Sequence, residues 1–155
     1  MSTLSLKQKF KDRKDIYNKL GGHNQQGIAI SKKYRAILLF RNEEQIYRDD
    51  FYSIDNAKLL YTGIGQKGNQ DDCQKNNSIY HLNTAVLSHK HEKNKLLVFD
   101  KTGNENEYEF LGEYKLTEMH QNIQPDKEGN LRRVFVFHLE RITKENKKCR
   151  LILRK

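Results

Sequence analysis

The sequence predicts an α+β domain with a curved, largely antiparallel β-sheet and helices beside it. Three observations predict it. Short apolar, β-prone runs recur between turn residues, two stretches carry a helical period, and no internal repeat or heptad array runs through them. At 155 residues the chain is long enough for one good core, so a single domain over 1–155 is expected.

The elements follow in order. Leu6, Phe10, Ile16, Tyr17 and Leu20 fall near helical spacing among Lys, Arg and Asp. That spacing predicts an N-terminal amphipathic helix from Ser5 to Leu20, with a basic outer face, within a segment 1–20. Gly21-Gly22 ends it. A core over 21–142 comes next. Ala36-Ile37-Leu38-Leu39-Phe40 is a continuous apolar run suited to a strand buried on both faces. Leu59-Leu60-Tyr61-Thr62 reads as another, closing on Gly63-Ile64-Gly65-Gln66-Lys67-Gly68. From Asn76 to His89 the period is helical again, with Ile79, Leu82, Ala85, Val86 and His89 on one face and Asn76 or Asn77 placed to cap the start.

Three more strands are expected at Leu96–Phe99, Tyr108–Leu116 and Val134–Glu140. Gly112 inside the second suggests a bulge or a close approach. Pro125 to Asn130 supplies the turn before the last. The tail 143–155 ends in Cys149 to Arg154, which reads as an edge strand. The single proline and short turns make the sheet largely antiparallel.

Charge bounds the partner. Lys+Arg is 29 against Asp+Glu 20, a formal charge of +9, which favours a polyanion because neutralised phosphates release condensed counterions. Cys73 and Cys149 belong to no CxxC or CxxH pair, so they do not suggest zinc. No run reaches membrane-spanning length, and Met1 to Lys7 lacks the apolar centre of a signal peptide. The chain therefore reads as soluble and cytoplasmic, with no cofactor expected.

Chemistry concentrates at Tyr47-Arg48-Asp49-Asp50 and, eleven residues on, Tyr61-Thr62-Gly63-Ile64-Gly65. Two aromatic plates, a carboxylate, a hydroxyl and glycines that admit close backbone are what a planar heterocycle extruded from a nucleic acid requires. The ordinary alternative is that the tyrosines only pack and the aspartates only turn the chain.

Other constellations are weaker. His81, His89 and His91 are close in sequence but form no HExxH pattern, so no metal is expected. The HxE and PCxxC pair of a base deaminase is absent. Asp100 with Glu113-Tyr114-Lys115 mimics the Asp…Glu-x-Lys signature of a magnesium nuclease. In a chain with 32% charged residues such triples arise by chance. A second rival is an adaptor that binds RNA or protein, with the tyrosines merely structural.

The order of blocks resembles the SRA (SET- and RING-associated) domain, in particular the SRA-like modules of modification-dependent bacterial restriction endonucleases. The likeness is carried by Gly27-Ile28, Tyr47 to Asp50, Tyr61 to Gly65, Gln70 with Asn83-Thr84-Ala85-Val86, Tyr108 to Tyr114, and Phe137 to Arg141. Leu111-Gly112 stands where the family carries Asp-Gly, and Glu44-Gln45-Ile46 where it carries Ser-Gly-Gly.

The resemblance implies an SRA-like, PUA-like α+β fold, a strongly bent mixed β-sheet or partial barrel with flanking helices. It also implies a non-catalytic reader of double-stranded DNA carrying 5-methyl- or 5-hydroxymethylcytosine. Such a reader flips the base into an aromatic pocket and targets a nuclease domain or subunit in a modification-dependent restriction system for phage defence. Carried over, Tyr47 and Tyr61 are the plates and Asp50 reads the base edge, with Asp49 its rival. Thr62 assists through its hydroxyl or backbone, beside Gly63. Lys67, Lys75, Lys90, Lys93 and Lys95 lie near the pocket strands in sequence and are candidates for backbone phosphates.

Overall fold

A computed structural model describes residues 2–23, 25–41, 50–51, 56–73, 77–142 and 150–155. Ten strands and two helices form from them. The strands are β1 (Ser2–Ser5), β2 (Lys9–Phe10), β3 (Ile28–Ser31), β4 (Ala36–Arg41), β5 (Asp50–Phe51), β6 (Lys58–Thr62), β7 (Lys95–Lys101), β8 (Tyr108–Pro125), β9 (Leu131–Arg141) and β10 (Arg150–Leu153); the helices are α1 (Arg13–Leu20) and α2 (Asn77–Leu87). One sheet runs β3-β4-β7-β8-β9-β6-β5, with β2 added beside β8, and β1 pairs with β10 as a separate ribbon. The ladder is antiparallel except between β4 and β7, which run parallel.

The apolar run of β4 is buried on both faces, as its composition predicts. Ala36, Leu38 and Phe40 join one core with Leu97, Phe99 and Phe110, while Ile37 and Leu39 join a second with Leu96, Val98, Leu59 and Tyr61. Period-two alternation along one strand thus feeds two cores. In the first, Phe99 stacks on Phe40 at 5.3 Å between centroids and meets Phe10 edge-on at 5.8 Å. The Arg13 guanidinium lies 3.4 Å from the centre of the Phe40 ring. Its Nη2 donates to the Gln26 and His23 carbonyls, which ties α1 to the loop before β3.

The N-terminal helix is shorter than its spacing predicts. Only Arg13–Leu20 is helical, and Ser2–Ser5 and Lys9–Phe10 are strands. Asp12 starts the helix by accepting from the Asp15 N–H, and Gly21, at φ 82°, stops it by donating to the Tyr17 carbonyl. The residues before it find better burial in sheets. Leu4 faces Leu151 in the β1–β10 ribbon, and Phe10 faces Tyr108. The tail forms a strand at Arg150–Leu153, with β1 as its partner.

The bulge at Gly112 is present. Val98 pairs with Gly112 and Phe99 with Phe110, which leaves Leu111 as the extra residue, and Gly112 sits at φ 123°. Strand β8 runs nine residues past Leu116, because β9 pairs it to Pro125. The expected turn at 125–130 is its tip. Asp126 there accepts from the Glu128 and Asn130 N–H groups. Asn76 and Cys149 lie outside the described residues, and Cys73 is an exposed free thiol.

Candidate functional site

The site is built at the end of β6. Leu59 and Tyr61 face the core shared with α2, and alternation sends Thr62 to the other face. Tyr61 is 1% exposed. Its hydroxyl donates to the Gly27 carbonyl at 2.8 Å, with the Phe40 carbonyl at 3.2 Å. A Cβ at Gly27 would stand 3.3 Å from that hydroxyl and 3.0 Å from Ile64 Cγ2, so glycine there leaves room for the ring's anchor. This gives the sequence block Gly27-Ile28 a physical meaning.

The glycine segment after Thr62 is fixed by side-chain amides. Ile64 N–H donates to Asn83 Oδ1 and Asn83 Nδ2 donates to the Ile64 carbonyl, both at 2.8 Å. Gln70 Nε2 donates to the Gly63 carbonyl at 2.6 Å, while its Oε1 accepts from the Phe135 N–H at 2.8 Å. The Gly63 N–H bonds the Phe135 carbonyl, and Arg132 Nη1 donates to the carbonyls of Gly65 and Gly68. Asn83 and Gln70 are buried, so each amide replaces ladder bonds that the loop cannot make with a neighbouring strand. A side chain at Gly63 would fall 2.7 Å from Gln70 Oε1 and 2.9 Å from Asn83 Oδ1. Only glycine fits between the two amides.

Of the expected pocket residues, Tyr47 and Asp49 lie outside the described residues. Asp50 is brought to the site by β5, where its backbone pairs with Leu60, one residue from Tyr61. Tyr61, Thr62 and Gly63 are all buried. The Tyr61 ring is covered, and the Thr62 hydroxyl is on the opposite face of the sheet. On the Tyr61 side Thr62 offers backbone alone.

Among the lysines, Lys67 pairs with Glu128 at 2.8 Å, Lys95 lies 3.5 Å from Glu113, and Lys75 is outside the described residues. Glu128 holds the Lys67 ammonium above its ordinary pKa. Lys90 and Lys93 are exposed in the loop between α2 and β7.

The nuclease triad does not assemble. Glu113 is opposite Leu97 and Asp100 opposite Glu109. Asp100 is three residues beyond Leu97, so it falls on the other face of β7, about 10 Å along the strand. Asp100 pairs with Arg41 at 3.0 Å and Glu113 with Lys95. Among the described residues no group of three metal-ligating side chains forms.

The histidines also separate. His81 and His91 are exposed. His89 is buried, its Nδ1 on the Asn94 carbonyl at 3.0 Å and its Nε2 accepting from the Leu116 N–H at 3.2 Å. Burial pushes its pKa down, and the Asn94 carbonyl partly opposes that.

Sequence reasoning quoted Gln70 and Asn83 only as parts of a resemblance and gave them no role. A buried amide bonding backbone across 19 residues leaves no local signal. It likewise missed His120 and His138, whose rings meet at 2.7 Å (Nδ1 to Nε2) on the outer face of β8 and β9. Val136, beside them, pairs with both Thr62 and His120.

A bent sheet with helices packed on it and a pinned glycine loop at one strand end defines an SRA-type α+β module. The ScoMcrA-like SRA domain profile matches residues 6–150, and the chain belongs to that family. A solved structure of the sulfur-binding and SRA domains of ScoMcrA with phosphorothioated DNA superposes with a TM-score of 0.67 at 18% identity, covering 93% of this chain and 41% of that one. The whole ScoMcrA restriction endonuclease gives the same score, with 29% of its chain covered. The SUVH5 SRA domain on hemi-methylated CG DNA gives 0.63 at 20% identity, covering 93% and 92%. This chain thus spans under half of the ScoMcrA structures and nearly all of the SUVH5 domain. A search of the curated proteins finds no match.

Proposed function

We propose that this domain binds double-stranded DNA carrying a modified cytosine, with the base flipped out of the duplex. Tyr61 is one plate, Tyr47 the other, and Asp50, with Asp49 as its rival, reads the base edge. The Thr62 backbone and Gly63 form the floor. The observation that carries this reading is the β5–β6 pairing, which lays the backbone at Asp50 alongside Leu60 and so brings the two sequence clusters together at one strand end. Membership of the SRA family supports it. So do the relatives solved with methylated, hydroxymethylated and phosphorothioated DNA.

The energetics allow it. Stacking on an aromatic ring contributes about 1–3 kcal/mol per base, and unpairing a base costs a few kcal/mol. Two plates roughly balance the extrusion, and phosphate contacts supply the remaining affinity. Because Tyr61 is covered in this structure, base entry requires its cover to move. A methyl group contributes little transfer energy, so discrimination rests on pocket shape.

In this reading the domain does not cut. It directs a nuclease domain or subunit within a modification-dependent restriction system in the cytoplasm. The test is fluorescence anisotropy with unmodified, 5-methyl- and 5-hydroxymethylcytosine duplexes. Tighter binding to a modified duplex, lost in Tyr47→Ala, is expected. Equal affinity for all three duplexes in the wild type would refute the reading.

A further inference from the structure

A second surface stands apart from the pinned loop. The turn between β3 and β4 carries Lys32, Lys33 and Arg35, and the loop between α2 and β7 carries Lys90 and Lys93, all exposed. The two segments are joined by a 2.9 Å bond from the Lys95 N–H to the Arg35 carbonyl. Arg35 and Lys93 each lie within two residues of that bond. Glu92 is the one acid in these two segments, and none of the five cations is ion-paired with another described residue.

The backbone supplies an independent observation. Arg35 sits at φ 51° and Lys93 at φ 59°. Each ends a tight turn, with Arg35 N–H returning to the Lys32 carbonyl and Lys93 N–H to the Lys90 carbonyl. The left-handed region favours glycine or asparagine, because a Cβ crowds the following carbonyl there. At both turns the chain places a long cation where glycine is the unstrained choice. Strain kept at an exposed position points to a role beyond the turn itself.

We infer that the β3–β4 turn and the α2–β7 loop form one phosphate-binding surface, which holds the backbone of a nucleic-acid duplex whatever its modification. The inference rests on the DNA-binding reading and adds a second contact to it. This surface supplies sequence-independent affinity by releasing counterions, while the Tyr61 end supplies discrimination. Arg35 and Lys93 are its central cations, flanked by Lys32, Lys33 and Lys90.

Arg35→Gly with Lys93→Gly separates binding from folding, because glycine relieves both left-handed positions. The double variant is expected to melt at the same temperature as the wild type or higher. In anisotropy titrations between 50 and 200 mM salt (on the order of the range over which such slopes develop), the slope of log K against log salt falls by about 1 per cation removed. At 0.1 M salt the affinity falls on the order of 50-fold, equally for unmodified and modified duplexes. Lys14→Ala with Lys155→Ala removes the same charge elsewhere and leaves the slope unchanged. An unaltered slope in the glycine variant, or an equal fall in the control, overturns the inference. A wild type that binds all duplexes alike with a steep salt dependence sinks the base-reading proposal and leaves this surface standing.

Discussion

The side-chain amide of Asn83 on α2 takes both backbone polar groups of Ile64, each at 2.8 Å, and so holds the loop after β6 as a strand partner would. Asn83 is fully buried, and its removal strands two backbone groups without water. Each unsatisfied group costs about 1–3 kcal/mol. Asn83→Ala is therefore expected to lower the unfolding free energy by about 3 kcal/mol in urea denaturation, with the slope against denaturant unchanged. A loss below about 1 kcal/mol would show that the loop re-pairs without the amide.

Gly63 tests the same clamp from the other side. A methyl group at this position meets Gln70 Oε1 and Asn83 Oδ1 at under 3 Å, and both amides are held by buried bonds. Gly63→Ala should destabilise by about 1–3 kcal/mol, the range for overpacking. Gly68→Ala meets no atom within 4 Å. Its cost is confined to backbone strain at φ 71°.

Tyr61 has two separable parts. Tyr61→Phe removes the hydroxyl bond to Gly27 and keeps the ring, so stability should fall by about 1 kcal/mol. Affinity for a modified duplex should stay within a few-fold. Tyr61→Ala empties a buried site and should cost about 3–5 kcal/mol. Its binding must be measured where thermal melting shows it folded.

Acid should weaken the fold through His89. Burial holds its folded pKa below the unfolded value of about 6.5. As pH falls below 6.5 the unfolded chain takes up the proton first, so the His89 contribution is complete above that pH and is lost as pH drops through the folded value. Protonation also breaks the bond from the Leu116 N–H to Nε2. Stability should decline as pH falls below about 6.5, and His89→Gln should flatten that decline. His23, whose pKa burial and Arg13 also lower, supplies a slope of the same sign.

How much was legible in the chain depended on range. The double-sided burial of β4, the helix of α2, the bulge at Gly112 and the stop at Gly21 all follow from residues within a few positions of one another. The N-terminal segment mimics a helix because Leu6, Phe10 and Tyr17 fall at i, i+4 and i+11. The competing strands gain their stability from Tyr108, 98 residues beyond Phe10, and Leu151, 147 residues beyond Leu4. The far half of β8, Thr117 to Gln124, is polar and shows no strand pattern. It is a strand because β9 lies beside it.

The sequence alone determined that a bent sheet would form and which end of β6 would carry glycine. It also singled out Tyr47 to Asp50 and Tyr61 to Gly65 as the expected pocket. Tertiary structure decided that the Asp50 backbone pairs with Leu60, that Thr62 turns away from Tyr61, and that Asn83 and Gln70 hold the glycines. It also decided that Asp100 and Glu113 fall on opposite faces. The strand placements are matters of pairing register and the amide clamps of which loop and helix meet, and both are set by contacts across the fold rather than by any residue's neighbours along the chain.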